Sequence, residues 1–465
     1  MHSRTILSAS IMALFASHSA WAGSFEKTAS GITVKPDQGA AKEVRLEVMN
    51  DNIIHVVKVD EPGKQLDPSM MTIAKPVTSG FTVSQSGKDA VVLKTARLAA
   101  TVSLTDGKLA FRDAKGKPLL TQYSEDITPI TVGGKRFVAI KQGFNPGTKD
   151  AYYGLGQHQN AQMNLNGEDV LLQQHNMDVA VPFVVSDKNY GILWDNNAIS
   201  RFGNPTPYAW LSRDLKLTGD NGQPGLTARY YIGGKLALTR QEKDIAYQYL
   251  KDVTEFWPKE LGDPKQLKDV KVVWDAEMVS TKPGVHKLQL YASDYATLSI
   301  DGKQVLDVWR QGWNPWYHNF EVNFAKDKPV KLHLEWVPSG GMVAITHNDP
   351  LPERDQRSLT LSSEIAQGLN YYVINGENMD QVIGGYRHLT GQQPMMPKWS
   401  YGFWQSRQRY ETQDQLLGVL REYRKQGWPI DNIVQDWFYW PEDGWGSHQF
   451  DKTRFPDPKG MVDEV

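Results

Sequence analysis

Apolar and polar residues alternate one by one through most of this chain, and that period constrains its fold more than any other feature. Val44, Leu46 and Val48 alternate with Arg45 and Glu47, and the same rhythm returns at Leu288, Leu290 and Ala292 and at Leu332, Leu334 and Trp336. A period of two places successive side chains on opposite faces of a strand, so each run builds a sheet with one buried face. Asp106-Gly107 and Asp301-Gly302 sit between such runs, and Asp-Gly is a strong short-range hairpin signal. From Gly23 to about Gly222 the runs follow one another without a convincing amphipathic helix, which predicts a large β-sandwich. Gly222-Gln223-Pro224-Gly225 reads as a linker, and a second β-rich region is expected from about Leu226 to Ser362.

The texture changes after Asn370. Met379 to Tyr386 reads as a short helix, and Pro394 and Pro397 form a bridge after it. Ser400 to Gln405 is a strand-like apolar run. Thr412 with Gln415 three residues on is a capping box, and Leu416, Leu420 and Tyr423 then fall on one helical face. Gly427 and Pro429 end that helix, and Asn432 to Asp436 reads as a second buried strand. Strand, helix, strand in so short a span is a βαβ unit whose two strands are expected to be parallel. The expected organisation is therefore a leader over 1–22, a sandwich over 23–222, a second β domain over 223–362, a return with linker over 363–393, and a barrel beginning over 394–465.

Composition excludes several classes. Lys plus Arg (51) nearly balances Asp plus Glu (53), and the net charge of −2 argues against a polyanion-binding surface. The chain contains no cysteine, which removes disulfides, thiol catalysis and cysteine-ligated metals together. Fifteen Trp and nineteen Tyr tilt the reading towards carbohydrate, because exposed rings stack on sugar faces. At the start, Arg4 precedes the apolar run Ile6 to Ala16, and Ala20-Trp21-Ala22 offers a cleavage site. This pattern predicts a secretory signal cut after Ala22, with a periplasmic or extracellular product. A membrane anchor would need about 20 apolar residues, and no span is expected elsewhere.

Three segments carry a resemblance. Tyr152-Tyr153-Gly154-Leu155-Gly156-Gln157, with Val181-Pro182-Phe183 and Tyr190-Gly191-Ile192-Leu193-Trp194, resembles the N-terminal, galactose-mutarotase-like sandwich of the family 31 glycoside hydrolases. Pro397-Lys398-Trp399-Ser400-Tyr401-Gly402-Phe403-Trp404-Gln405-Ser406 resembles the start of that family's (β/α)8 barrel. Ile430-Asp431-Asn432-Ile433-Val434-Gln435-Asp436-Trp437 resembles its second barrel strand, and Phe450-Asp451 with Arg454-Phe455-Pro456-Asp457-Pro458 the segment that follows. The resemblance implies a multidomain, mainly β fold leading into a truncated barrel, and a retaining α-glycosidase that uses two aspartates. Retention needs carboxyl groups about 5–5.5 Å apart. A whole barrel takes about 250 residues, so the catalytic pair is expected beyond Val465 and the chain alone is expected to be inactive.

The resemblance also implies roles. Asp436, expected at a strand's C-terminal end, matches a position that holds hydroxyls of the sugar being cleaved, and a carboxylate can accept two at once. Trp437 and Phe438 match the bulk around the sugar's exocyclic carbon, which favours an α-xylosidase acting on xyloglucan-type oligosaccharides over an α-glucosidase or a transglycosylase. Trp404 and Trp440 are expected to line the sugar subsites, and Arg407 and Arg409 to border the cleft. His175-Asn176 lies where a sandwich loop approaches the barrel in relatives. The second β region, through Ser293-Asp294-Tyr295-Ala296-Thr297-Leu298-Ser299-Ile300-Asp301-Gly302, is similar to the protective-antigen-type domain inserted in carbohydrate-active enzymes. Tyr295 stands where calcium-dependent sugar-binding members carry a second aspartate, so no such site is expected. Neither a metal nor an organic cofactor is expected, and an oligosaccharide is the expected partner, with no nucleic acid. A reading from another class, a non-catalytic glycan-binding protein with a vestigial barrel fragment, leaves the βαβ unit without a purpose.

Overall fold

The computed structural model describes residues 23–465 apart from 146–149, 160–161, 175–176, 205, 248–256 and 358. The leader expected over 1–22 and the loop pair His175-Asn176 lie outside these residues. The chain divides after Gly391 into two compact units.

The first unit holds two β-sandwiches. In the first, an eight-stranded sheet runs in the order Ser24–Lys27, Gly31–Lys35, Glu43–Asn50, Ile53–Val59, Leu369–Asn375, Tyr190–Trp194, Val179–Ser186, Tyr152–Gln157. It faces a nine-stranded sheet that includes Leu98–Ser103, Pro118–Val132, Lys135–Phe144 and Leu359–Ala366. The alternating residues Val44, Leu46 and Val48, with Trp194 of the same sheet, fill the shared core against Leu93 and Phe111 from the other. The resemblance-bearing strand Tyr152–Gln157 depends on its glycines. It bulges between Gly154 and Gly156, and Leu155 itself sits at φ +63. A Cβ on Gly156 would lie 1.8 Å from the Val179 carbonyl oxygen, so only glycine fits there.

The second sandwich is inserted between two neighbouring strands of the first. Ser200–Phe202 and Leu359–Ala366 pair antiparallel, and the chain leaves after one and returns at the other. Ala209–Trp210, Lys216–Thr218 and Leu226–Ile232 already belong to the insertion, whose last strand is Val343–Asn348. The expected boundaries, 222/223 and 362/363, therefore both shift towards the N-terminus. Gly222–Gly225 belongs to a closed loop rather than a linker: Lys216–Thr218 and Leu226–Ile232 follow one another in the same direction along Val270–Val279, and between them Gly219 N–H donates to the Gln223 carbonyl and Gly225 N–H to that of Leu217. The insertion's core joins Leu288 and Leu290 to Leu332, Leu334, Trp274 and Trp336. Asp301 and Gly302 both adopt positive φ, 50° and 77°, as a two-residue hairpin turn of the primed type requires.

Tryptophan in this unit is largely core. Trp194, Trp274 and Trp336 are fully buried, and each indole N–H has an acceptor: Ser363 Oγ, the Glu242 carboxylate and the Ser293 carbonyl. The composition-based tilt towards sugar platforms does not apply to these rings. After the second sandwich, the helix Met379–Thr390 runs four residues beyond its expected end, capped by the Asn378 side chain.

The second unit is built around the helix Gln413–Lys425. Thr412 Oγ1 accepts from the Gln415 N–H at 3.2 Å, while the Gln415 side chain reaches back to the Glu411 N–H, one residue before the expected one. At the other end Gly427 (φ +71) allows its own N–H to reach the Arg424 carbonyl and that of Trp428 to reach Tyr423. The flanking strands are parallel, as expected, and pair Trp404 with Asn432 and Gln405 with Ile433. They are shorter than expected: Lys398–Tyr401 forms a 3-10 turn, and only Trp404–Gln405 and Asn432–Ile433 are strand. The Asp431 carboxylate helps to fix this junction. It accepts from the Phe403 N–H at 2.8 Å and lies so close to Gly402 that a Cβ there would be 2.1 Å from its oxygen. Leu416, Leu417 and Leu420 pack on Tyr410, Ile430, Phe455 and Met461 in a small separate core.

Candidate active site

Asp436 lies three residues beyond the C-terminal end of the second parallel strand, Asn432–Ile433. It is half-buried, and its Oδ1 accepts from the Trp437 N–H at 2.7 Å. That bond fixes the carboxylate at the strand exit and leaves Oδ2 for another donor.

The two residues after it are held by arginine. Phe438 adopts φ +62, a left-handed conformation that a bulky side chain rarely takes. The guanidinium of Arg454 donates to the Phe438 carbonyl at 2.7 Å and to the Trp440 carbonyl at 2.6 Å. It also lies over the Phe438 ring, 5.1 Å from the centroid, and Arg409 covers that ring at 4.7 Å and Trp437 at 5.5 Å. Two cations on one ring and two hydrogen bonds to one loop over-determine the strained turn. Arg454 in turn is placed by Asp451, whose Oδ1 caps the Thr453 and Arg454 backbone N–H groups.

The aromatic residues separate into two kinds. Trp404 (48% exposed) and Trp437 (37% exposed) present ring surface to solvent. Trp440 does not: it is buried among Phe438, Tyr439 and Trp445, at centroid distances of 6.4, 5.2 and 5.7 Å. Its expected role as a sugar platform gives way to a packing role, because the Arg454 bond to its carbonyl pulls the chain inward at that point. Trp445, exposed and 5.3 Å from Trp437, is the ring that sequence reasoning missed. Its position in a Gly-flanked loop, Gly444-Trp445-Gly446, was the available signal. Arg407 lies over Tyr410, whereas Arg409 joins the Trp437–Phe438 turn.

Among the described residues, the ligand atoms of His286, His347 and Asp349 lie within 4.8 Å of one another. His286 Nδ1 and His347 Nε2 are 2.7 Å apart and the ring centroids 5.0 Å, so the nitrogens meet head-on. That is the arrangement of an N–H···N hydrogen bond, not of two lone pairs converging on an ion. His286 Nε2 donates to the Lys282 carbonyl at 2.8 Å, so its Nδ1 accepts from His347. Burial and the neighbouring His286 push His347 down to about 4. Asp349 is paired with Lys282. At Asp294, both carboxylate oxygens accept from Ser339, one from its N–H and one from its hydroxyl, each at 2.7 Å.

A sandwich thus leads along the chain into a parallel βαβ unit with a carboxylate beyond its second strand and exposed indoles at Trp404 and Trp437, the arrangement in which a barrel fold begins. Residues 43–202 match the glycosyl hydrolase 31 N-terminal galactose mutarotase-like domain, and residues 393–465 match the glycosyl hydrolases family 31 TIM-barrel domain. The chain belongs to glycosyl hydrolase family 31. It is similar to the crystal structure of a GH31 alpha-xylosidase from Xanthomonas citri, at 43% identity and a TM-score of 0.86, covering 94% of this chain and 48% of that one. An alpha-xylosidase of Saccharolobus solfataricus is 23% identical over 437 residues, 91% of this chain and 38% of that protein. A GH31 alpha-xylosidase from a soil metagenome, complexed with xylose, shares the fold at 20% identity and a TM-score of 0.54, covering 95% of this chain and 45% of that one. The chain thus spans half or less of the length of these relatives.

Proposed function

We propose that the chain supplies the N-terminal sandwich, the insertion and the first barrel strands of an exported retaining α-xylosidase acting on xylose-capped oligosaccharides. One observation carries the reading. The strand exit places Asp436 beside a turn whose two aromatic residues are locked by Arg409 and Arg454. Asp436 accepts two hydroxyls of the sugar being cleaved through charge-assisted bonds. The fixed bulk of Trp437 and Phe438 occupies the space that the hydroxymethyl arm of glucose would need, whereas xylose lacks that arm. Likeness to alpha-xylosidases supports this choice of substrate. In this reading the reacting aspartate pair lies outside the residues described, and this chain binds and orients. The apolar run at Ile6 to Ala16 supports export.

Rejecting one methylene-sized group is worth about 1–3 kcal/mol, so glucoside hydrolysis should be reduced by about 10- to 200-fold rather than abolished. The test compares nitrophenyl α-xyloside with nitrophenyl α-glucoside on the enzyme that contains these residues. A preference for the xyloside that shrinks in Trp437→Ala supports the reading; a strong glucoside preference ends it.

A further inference from the structure

We propose that a cleft between the two β-sandwiches binds a neutral pyranose oligosaccharide, as a second glycan site built entirely from residues 126–364. The proposal rests on the reading that the protein acts on carbohydrate, but it uses none of the residues of the 392–465 unit.

The cleft measures about 600 Å³, within the range of about 300–1,000 Å³ typical of ligand pockets. Its two walls are sheet faces of different character. One is the outward face of the insertion's strand Gly284–Ala292, where Gln289 and Tyr291 alternate with the buried Leu288 and Leu290. Across the ladder Tyr291 stands opposite Tyr317 on one side and the small Ala344 on the other. The two tyrosine rings lie 4.8 Å apart with a 38° tilt, and Gln289 is held by a 3.0 Å bond to Asn319. This wall offers ring surface beside fixed amides.

The facing wall belongs to the first sandwich. Lys141 and Ser362 are cross-strand partners there, and Ser362 also pairs with Arg201. Arg201 lies 4.0 Å from Glu364, with both side chains at least half exposed. This wall offers planar charged groups.

A pyranose presents an apolar face of C–H bonds and a rim of hydroxyls. Rings on one side and planar groups on the other match that division, because guanidinium and carboxylate can each engage two vicinal hydroxyls. The charge balance selects a neutral sugar. Asp126, Glu168 and Glu364 outnumber Lys141 and Arg201 along the cleft, which disfavours sulfated or phosphorylated ligands. Burial and the neighbouring Asp169 raise the Glu168 carboxyl above the usual carboxylate range. Peptide capture by strand addition needs an open sheet edge. The central strands of the two walls, Gly284–Ala292 and Lys135–Phe144, are paired on either side, and Tyr317 alone stands on an edge strand, Trp316–Phe324.

The test is calorimetric titration of the 465-residue protein with a neutral xyloglucan oligosaccharide and, separately, a sulfated oligosaccharide. The expected result is binding of the neutral sugar alone. Tyr291→Ala with Tyr317→Ala should weaken it about tenfold or more, and Arg201→Ala less. Circular dichroism checks that the tyrosine variant is folded; because both rings sit on an outward sheet face, Tyr291→Gln serves as the milder second variant. Loss of binding in Asp436→Ala with the tyrosine variants unaffected would overturn the cleft site while leaving the carbohydrate reading intact. Absence of neutral-sugar binding, or preference for the sulfated sugar, also overturns it, and the xyloside assay judges the catalytic reading independently.

Discussion

The two units of this protein solve the same problem, covering apolar surface, to different degrees. In the first, strand after strand alternates, every long ladder finds a partner, and Trp194, Trp274 and Trp336 disappear into two cores. In the second, two strands of two residues each and one helix share a small core. Tyr401, Trp428 and Trp445 remain 77, 60 and 74% exposed. Stability in the first unit is therefore a property of buried layers. The second keeps its rings available and fixes its geometry locally, through a capped helix and arginines that hold individual carbonyls.

That contrast can be broken most severely in the core of the first sandwich. The Lys58 ammonium is fully buried there and spends its three donors on the Gly107 carbonyl (3.0 Å), Gln122 (2.7 Å) and the Glu125 carboxylate. Burial pulls Lys58 below the ordinary lysine range, and Glu125 opposes that pull. Glu125→Gln would leave an uncompensated buried charge, with an expected loss of about 3–5 kcal/mol in urea unfolding. An unchanged midpoint would mean that the buried layer does not govern this unit.

In the second unit the corresponding weak point is local. Thr412→Ala removes a helix cap and should cost about 1 kcal/mol, visible as a shift of that unit's own unfolding transition while the first unit's stays in place. A shift of both transitions together would erase the distinction between the units.

Acid should separate the two as well. His347 and His318 are both held near 4 by burial, against an ordinary value of 6.5. Their folded values are depressed, so the unfolded chain takes up protons first. The stability they support is complete above pH 6.5 and declines as pH falls towards 4. The melting temperature of the first unit should drop across that window. His318→Gln should flatten the drop; a wild-type profile without a drop would count against the burial argument.

The smallest effect is expected at the exposed rings. Trp428→Ser should change stability by less than about 0.5 kcal/mol, yet reduce dye binding to exposed apolar surface. A large destabilisation would show that this ring is covered.

Much of this was legible in the residues. The period-two runs, both Asp-Gly turns, and Thr412, Gln415 and Gly427 carry local information, and local geometry follows from them. The insertion's boundaries were not legible, because Gly222–Gly225 looks the same as a linker and as a closed loop between two strands until their shared partner, Val270–Val279, is known. Lys58 and the His286–His347 pair were hidden for a related reason. Their partners, Glu125 and His347, lie 67 and 61 positions away and meet them only through sheet register. At the candidate site, Trp404 opens the first short strand, and Asp436 and Trp437 follow the second after two intervening residues. Trp440 shows the limit of residue type alone: an indole next to a platform is core once Arg454 draws its carbonyl inward.

The measurement closest to the heart of the account is the effect of Asp436→Ala on kcat/KM for nitrophenyl α-xyloside, in the enzyme that carries this unit. Asp436 Oδ1 accepts from the Trp437 N–H, and in the proposed reading the lone pairs of Oδ2 are the ones that receive the sugar's hydroxyls. The account predicts a loss of about 100-fold or more with the fold intact, as expected when a charge-assisted contact to the reacting sugar disappears. Wild-type turnover in that variant would contradict it.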